Sequence, residues 1–561
     1  MDTQRLILFV IFSFSALFLW EAWQRDHRPP TPPATTAQPA PKTGVDAPLP
    51  GTPTAPPVPA VPGAPAAAIP AGEKVVVKTD LYAASIDTAG GVLTQLALSA
   101  HRDTNDETKP YVLLQQNAER TFIAQSGLLG EGMPNHRTLW QVLPGPRELA
   151  PGMDALEVKL QATTASGDKV VQTLTFHRGT YIIDVAYQIT NAGAAPIAPY
   201  AYFQLTRDTK TPDVRSSMAP AAYTGPVIYN EADKFKKVEP GELDKLAGDP
   251  SRKLPYAKNA DNGWVGMIEH YFLAAWLPSD NPRTPREFYA KKLDNGLYAD
   301  GVILQASPIA PGATGELKVP LYVGPQEQDT LAKLATGLDL VVDYGIFTIL
   351  AAPLFWLLKW LYGIVHNWGW AIVLLTIIIK SVFYPLNHAS ARSMAKMKVI
   401  APKMKALQEQ YGGDKQQLQM KMMEMYKTEK INPLGGCLPI VVQIPVFIAL
   451  YWVLLSAVEL RHAPWILWIH DLSAPDPYFV LPVIYAITAY LQVRLSPTPI
   501  QDPVQAKVMQ IMPIAFSVMF IFFPSGLVLY WLVNNSLQIF QQWHMNRVLE
   551  REAATAAAKR R

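Results

Sequence analysis

Apolar and polar residues divide the chain into three parts with different patterns. An apolar run at residues 6–20 follows a short charged head. Between residues 73 and 330, short segments such as 155–160 and 181–189 alternate apolar with polar side chains and are rich in β-branched residues. After residue 338 the apolar residues are collected in long runs. The pattern predicts a membrane anchor, an antiparallel β-sandwich and an α-helical membrane bundle, in that order.

The predicted fold class is therefore a multi-domain membrane protein with six segments. They are an anchor at 1–28, a Pro/Ala-rich linker at 29–72, the all-β sandwich at 73–330, an interfacial helix at 338–367, a five-helix core at 368–545 that includes a helical hairpin at 388–431, and a basic tail at 546–561. The linker contains 15 prolines, which favour an extended tether over a packed core.

Five apolar runs of the core are predicted to cross the membrane. They are 368–384, 434–455, 478–494, 508–523 and 526–543. The last two cover 36 residues, about 54 Å of helix, and cannot form one span through a hydrocarbon core of about 30 Å. The sequence Phe-Pro-Ser-Gly at 523–526 is predicted to turn between them.

Positive charge predicts the orientation of these spans. The loop 385–433 holds nine Lys or Arg residues against four Asp or Glu, and the tail after 543 holds five, whereas the loop 456–477 holds only Arg461. By the positive-inside rule the first two are cytoplasmic and the third is not. The segment 338–367 contains Pro353 and Lys359 and lies directly before the next apolar run, so it is interpreted as an amphipathic helix in the interface. With the anchor, the chain is expected to have six spans and both ends in the cytoplasm.

Composition excludes several functional classes. The net charge of +3 gives no support for a nucleic-acid partner. The single cysteine, Cys437, excludes internal disulfides and a Cys-based zinc cluster. We expect neither a metal nor a cofactor.

Lys380 is the most informative candidate residue, because it lies in the apolar run 368–384 with no carboxylate in that run. A cation at that depth costs about 2.5–3.5 kcal/mol, so it needs water, protein or a substrate around it. Ile372, Thr376, Lys380 and Tyr384 are four residues apart and are predicted to share one helix face. Gln443, Tyr530, Asn534, Asn535 and Gln538 add polar groups from other spans. The set predicts a water-filled indentation, and the alternative is a dry bundle joined by interhelical hydrogen bonds.

The lack of a buried acid distinguishes between two functional hypotheses. Ion-coupled transporters use intramembrane Asp, Glu or His chains, and no core span has an Asp or Glu in its central part. A lone cation in a wet groove can instead attract an acidic segment of a passing polypeptide. The second hypothesis, a channel or transporter with a solute-sensing extracytoplasmic domain, requires a continuous pore and a bound solute.

The predicted hairpin holds seven of the sixteen methionines of the chain. Flexible Met-rich surfaces suit binding of varied apolar sequences, so we expect client or ribosome contacts there. The candidate contact residues are Met394, Met397, Lys398, Met404, Met422 and Met425. An equally weighted alternative is that these methionines form the packing stripe of an ordinary helical hairpin.

Several stretches together resemble the YidC membrane protein insertase family of double-membraned bacteria. They are the opening Met-Asp-Thr-Gln-Arg at 1–5 with its anchor, Ser-Met-Ala-Lys-Met at 393–397, Asn-Pro-Leu-Gly-Gly-Cys at 432–437, Val-Glu-Leu-Arg at 458–461, Trp-Ile-His-Asp-Leu at 468–472 and Phe-Pro-Ser-Gly-Leu-Val-Leu-Tyr at 523–530. The resemblance covers the whole chain and is most specific from 338 to 545.

The resemblance implies a function, a location and partners. It implies insertion and chaperoning of nascent membrane proteins at the bacterial inner membrane, alone or with the Sec translocon. The ribosome, the signal recognition particle or its receptor, and the lipid bilayer are implied as further partners, with no sequence-specific nucleic acid. It implies a periplasmic supersandwich like that of sugar mutarotases, without catalysis, and residues 29–367 on the periplasmic side.

The resemblance also assigns residues of a client-binding groove. Lys380 matches the cation of the groove, which is usually Arg in this family. Thr376, Tyr530 and Trp531 match client-facing positions, although Trp531 stands where Tyr is common, and Gln443 completes the predicted set. Lys is a point charge without the planar fork of Arg, so it lacks the geometry for bidentate binding of a client carboxylate.

Overall fold

The structure is a computed structural model of the chain. It describes residues 72–104, 106–210, 223–249, 251–429, 438–495 and 511–558, apart from 513, 514 and 516. The predicted anchor, nearly all of the predicted linker, parts of the predicted spans 434–455 and 508–523, and the end of the tail lie outside these residues.

The N-terminal half of the described chain is a sandwich of antiparallel strands, as the alternating pattern predicts. The strands are β1 (Lys74–Lys78), β2 (Tyr82–Asp87), β3 (Val92–Arg102), β4 (Pro110–Gln116), β5 (Thr121–Leu129), β6 (Gln141–Val142), β7 (Ala155–Thr163), β8 (Lys169–His177), β9 (Ile182–Thr190), β10 (Tyr200–Arg207), β11 (Thr224–Asn230), β12 (Lys234–Lys237), β13 (Asn259–Ala260), β14 (Trp264–Glu269), β15 (Phe272–Trp276), β16 (Arg286–Lys292), β17 (Tyr298–Gln305) and β18 (Thr314–Pro325). One sheet has the order β1-β2-β3-β4-β5-β10-β17-β16-β13, and the other has the order β12-β11-β14-β15-β18-β9-β8-β7-β6.

The core of the sandwich lies between the two sheets. In β7, Leu156, Val158 and Leu160 are buried while the residues between them are exposed, which is the period of two expected for a strand with one buried face. Across the sheets, the rings of Phe203 on β10 and Trp276 on β15 lie 5.1 Å apart. Burial of such large apolar side chains between the sheets is the main stabilising contribution to this domain.

The C-terminal half is helical, with one short helix inside the sandwich and one before the membrane region. The helices are α1 (Pro240–Gly248), α2 (Gln328–Leu334), α3 (Thr348–Val365), α4 (Trp368–Val382), α5 (Tyr384–Tyr411), α6 (Lys415–Thr428), α7 (Leu438–Ser456), α8 (Val480–Leu495) and α9 (Ser525–Ala558). A single cluster of buried side chains joins β14, β15 and β18 to α3, α4, α7, α8 and α9. The outer face of the second sheet is therefore packed against the helical region.

Helix α3 meets the length and hydropathy expected of a membrane span. Among the described residues it is the one unbroken helix that passes this test, and α4 with the start of α5 passes as a pair bent by 56°. Helix α8 has 16 residues, so it is about 24 Å long, shorter than a typical hydrocarbon core. The expectation that α3 lies in the interface rests on the sequence of the segment and stays a prediction.

The predicted continuous helix 368–384 is wrong at its end. Helix α4 ends at Val382, and Phe383 has φ −84° and ψ 2°, outside the helical pattern. Pro385 is in the first turn of α5, and a proline there has no N–H to continue the preceding helix and restricts the residue before it. Tyr384 therefore belongs to α5 and does not extend the stripe of Thr376 and Lys380.

Candidate functional site

Lys380 lies near the end of α4 and is buried, with 3% of its surface exposed. Its ammonium Nζ donates a hydrogen bond to Oε1 of Gln538 on α9, at 2.8 Å. In the part of the chain that the structure describes, Lys380 makes no ion pair with a carboxylate. Within the described residues, the positive charge is therefore solvated by a neutral amide.

Thr376 is one helical turn before Lys380 and is completely buried. Its hydroxyl donates to the carbonyl of Ile372 on the same helix, at 2.7 Å. This bond satisfies the hydroxyl donor within α4. Thr376 thus contributes a small polar surface beside Lys380 and leaves an acceptor lone pair for a partner.

Gln443 is half-buried on α7 and faces α9. Its Nε2 donates to Oδ1 of Asn534 at 2.9 Å. Lys380 and Gln443 thus bind residues of α9 that are four positions apart, so both polar contacts involve one face of α9. Lys380 and Gln443, which were both predicted as site residues, therefore both contact α9.

Tyr530 and Trp531 form part of an aromatic cluster between α7, α8 and α9. The ring of Trp531 lies 4.4 Å from that of Phe447, and 6.2 Å from that of Tyr485. Tyr530 is buried, with 2% of its surface exposed, and its ring lies 6.4 Å from that of Phe447. Both residues pack against other side chains, and within the described part of the chain the indole N–H of Trp531 is buried without a hydrogen-bond partner.

Helix α9 makes two further polar contacts whose partners were not predicted from the sequence. Asn535 Nδ2 donates to the hydroxyl of Thr488 on α8 at 2.9 Å, and Gln541 Oε1 accepts from Asn387 Nδ2 on α5 at 3.2 Å. With Asn534 and Gln538, α9 is thus bonded to α7, α8, α4 and α5. In the sequence, the spacing of residues 534, 538 and 541 indicates that they lie on one face of a helix, because residues three and four apart are neighbours on a helix surface. We call these four contacts the α9 ladder.

The hairpin of α5 and α6 has its methionines in two different environments. Met404 is buried, and Met397, Met422 and Met425 pack with it, Ile400 and Tyr426 between the two helices. Four of the predicted contact residues are therefore placed as the packing-stripe alternative describes, and their role as client or ribosome contacts stays a prediction. The side chains of Met394 and Lys398 lie outside the part that the structure describes.

Two other methionines of the hairpin are exposed on α6. Met420 and Met423 are 63% and 52% exposed. They line a surface groove of about 450 Å³, together with Gln416, Gln419, Glu424 and Lys427. The helical period separates the two sets, because positions 422 and 425 face α5 while 420 and 423 face away from it.

The loop 457–479 packs across one end of the helical bundle. The amides of Ser525 and Gly526, at the start of α9, donate to the carbonyls of Ala474 and Leu472 at 2.7 and 2.9 Å. At the start of α4, Gly369 lies against the indole of Trp465, where a Cβ would come within 2.2 Å of the ring. The loop therefore covers the ends of α4 and α9 at close packing distance.

A β-sandwich followed by apolar helices with buried polar contacts indicates a multi-domain membrane protein. Two families match it in consecutive parts: the YidC periplasmic domain at residues 74–357, and the 60Kd inner membrane protein at 360–552. A curated relative from Nitrosospira multiformis, named membrane protein insertase YidC, is 51% identical over 577 aligned positions, covering 100% of both chains. The chain belongs to the YidC family of membrane protein insertases.

Two solved structures give weaker likenesses. A crystal structure of an active YidC insertase with its first transmembrane domain resolved shares 19% identity, covers 84% of this chain and 94% of its own, and has a TM-score of 0.37. A galactose mutarotase related enzyme from Lactobacillus acidophilus shares 9% identity over 45% of this chain and 97% of its own, with a TM-score of 0.29. The second hypothesis, a channel or transporter, finds no support in the names of the curated relatives.

Proposed function

We propose that this chain inserts nascent membrane proteins into the bacterial inner membrane, and helps them fold, through a hydrophilic groove around Lys380. The main observation in support is the buried ammonium of Lys380, whose Nζ lies 2.8 Å from Oε1 of Gln538. A cation kept at this depth without an acid costs stability, so its retention favours a use in binding. The groove is proposed to open to the cytoplasm and to the lipid.

In this mechanism the groove lowers the barrier to moving a short polar segment into the bilayer. A carboxylate in the extracytoplasmic tail of a client is attracted by Lys380, whose charge acts over a longer range in a medium of low dielectric constant. The apolar helix of the client then moves into lipid, where burial of apolar surface favours release. No covalent step and no nucleotide are proposed.

Reversing the charge of Lys380 tests this mechanism. Lys380→Glu in proteoliposomes should reduce insertion of a client with an acidic tail by at least about tenfold, because like charges repel. Lys380→Arg keeps the charge and should stay within about threefold of the wild type. The readout is protease protection of the client tail. Wild-type insertion by Lys380→Glu would contradict the mechanism.

We further propose six spans, with both termini in the cytoplasm and residues 29–367 in the periplasm. The nine Lys or Arg residues at 385–433 support this orientation. In a Cys437→Ser background, Gln408→Cys in the hairpin should react with a membrane-impermeant maleimide only after the inner membrane is opened. Glu131→Cys in the sandwich should react in cells whose outer membrane alone is permeabilised. The reverse labelling pattern would refute the orientation.

We also propose that the hairpin and tail meet the translation machinery and that the core works alone or beside the Sec translocon. The exposed groove at Met420 and Met423 supports a client or ribosome contact on α6. Ribosomes carrying a stalled client should crosslink to a photoreactive residue at 420 and much less to one at 404, which is buried in the hairpin.

A further inference from the structure

Gln538 is the residue that holds the ammonium of Lys380, and it differs from Lys380 in exposure. Lys380 is buried, whereas Gln538 is half-buried. The bond between them joins α4 to α9. A client group that approaches Lys380 from outside the bundle therefore meets the amide of Gln538 on the same path.

The α9 ladder restrains the position of Gln538 from both sides. One turn earlier, Asn534 is bonded to Gln443 on α7, and one turn later Gln541 is bonded to Asn387 on α5. Residues at 534, 538 and 541 share a face of the helix, so the neighbouring bonds limit rotation of α9 at Gln538. The amide is thus positioned by contacts that do not involve Lys380.

The chemistry of an amide suits a temporary partner for the ammonium. Its oxygen accepts a hydrogen bond, and so prevents the cost of a buried ammonium with no acceptor, but it carries no charge to neutralise the cation. A carboxylate in the same place would form an ion pair with Lys380, which a carboxylate of a client would have to displace. The amide also has an NH₂ group that can donate to an incoming carboxylate.

We propose that Gln538 is a positioning residue that keeps Lys380 solvated but uncompensated, and so makes the groove selective for acidic client segments. The carboxylate of a client replaces the amide oxygen on Nζ, and the amide returns when the client leaves. This inference rests on the proposed function of Lys380. It adds Gln538 as the residue that determines how readily the charge of Lys380 can bind a client carboxylate.

The test compares two clients that differ only in charge. One is a single-spanning protein with two Asp residues in its short extracytoplasmic tail, and the other has Asn in their place. Gln538→Glu in the full-length chain should lower insertion of the acidic client by about tenfold, equal to about 1.4 kcal/mol, because the new carboxylate neutralises Lys380. Insertion of the neutral client should stay within about twofold, which also shows that the variant is folded.

Gln542→Glu is the matched control. Gln542 is on the next turn of the same helix, is half-buried, and bonds to Asn546 rather than to another helix. It adds the same charge to α9 one turn further along, without replacing the amide that is bonded to Lys380, and should leave both clients within about twofold of the wild type. A selective loss in Gln538→Glu with none in Gln542→Glu supports the inference.

Other outcomes overturn it in distinguishable ways. If Gln538→Glu lowers insertion of both clients equally, Gln538 has a structural role only. If it leaves the acidic client unaffected while Lys380→Glu stops its insertion, the positioning role is wrong and the function of Lys380 stands. If Lys380→Glu also inserts the acidic client normally, the proposed function fails together with the inference.

Discussion

Arg461, in the loop between α7 and α8, provides a quantitative prediction about how the sandwich is held on the helical region. Its guanidinium lies 5.0 Å from the ring centre of Tyr111 and 5.4 Å from that of Phe272, both in the sandwich. Its Nη2 also donates to the hydroxyl of Thr104 at 3.0 Å. Arg461→Ala removes all three contacts while leaving the backbone of the loop unchanged.

The magnitude follows from the burial of Arg461. Because Arg461 is only 8% exposed, each cation–π contact is worth about 1–2 kcal/mol, toward the desolvated end of the usual range. The hydrogen bond from a charged donor adds about 1.5 kcal/mol, and non-additivity reduces the sum to about 2–4 kcal/mol. The equilibrium constant for local separation of the loop that carries Arg461 from the sandwich should therefore rise by at least about 30-fold.

Hydrogen exchange of the full chain in detergent measures this shift. The amide of Leu460, which donates to Ala457 O, and that of Asp103, which donates to Lys109 O, should exchange at least about 30-fold faster in Arg461→Ala. Arg494→Ala is the control, because Arg494 makes a similar contact with Tyr490 at 5.1 Å within α8 and is exposed. Unchanged exchange in Arg461→Ala would refute the claim that Arg461 secures the docking.

The other two predictions concern stability. Gly369→Ala should lower the free energy of unfolding by about 1–3 kcal/mol, since the indole of Trp465 must move, whereas Gly363→Ala meets nothing within 4 Å and should be neutral or stabilising in thermal unfolding. Burial lowers the pKa of His101 and of His136 to about 4, so the unfolded chain takes up protons first as the pH falls. Stability of the sandwich should be unchanged above about pH 6.5 and should fall by about 2–3 kcal/mol per histidine between pH 6.5 and 4. An unchanged melting temperature for Gly369→Ala, or a sandwich equally stable at pH 6.5 and 4.5, would contradict the respective argument.

The sandwich was predictable because several of its strands, such as β7, have one buried face. In β7, the alternation of Leu156, Val158 and Leu160 with exposed residues is visible in the sequence and is reproduced in the structure. The order of strands within the two sheets was not predictable, since β10 pairs with β5 and β17, which are distant in sequence. Such pairings depend on the packing of whole sheets rather than on local pattern.

The candidate site was predictable in its residues but only partly in its contacts. The charge of Lys380 in an apolar run was evident, and so were Asn534, Asn535 and Gln538 on α9. Their partners required the structure, because interhelical contacts depend on how the helices are rotated about their axes. The methionines of the hairpin show the same limit. Composition alone did not distinguish a binding surface from a packing stripe, whereas in the structure Met404 is buried between the two helices and Met420 is exposed.

Helix α9 has 34 residues and is continuous from the turn at Ser525 to Ala558. At about 1.5 Å per residue it is about 51 Å long, so it extends beyond a hydrocarbon core of about 30 Å. All four contacts of the α9 ladder are made by this one helix, so a rotation of the helix about its axis strains all four hydrogen bonds. Loss of any one of these contacts leaves three to hold the same helix. The last turns of α9 lie about 30 Å from Gln538, so a client that displaces Gln538 from Lys380 acts on one continuous helix.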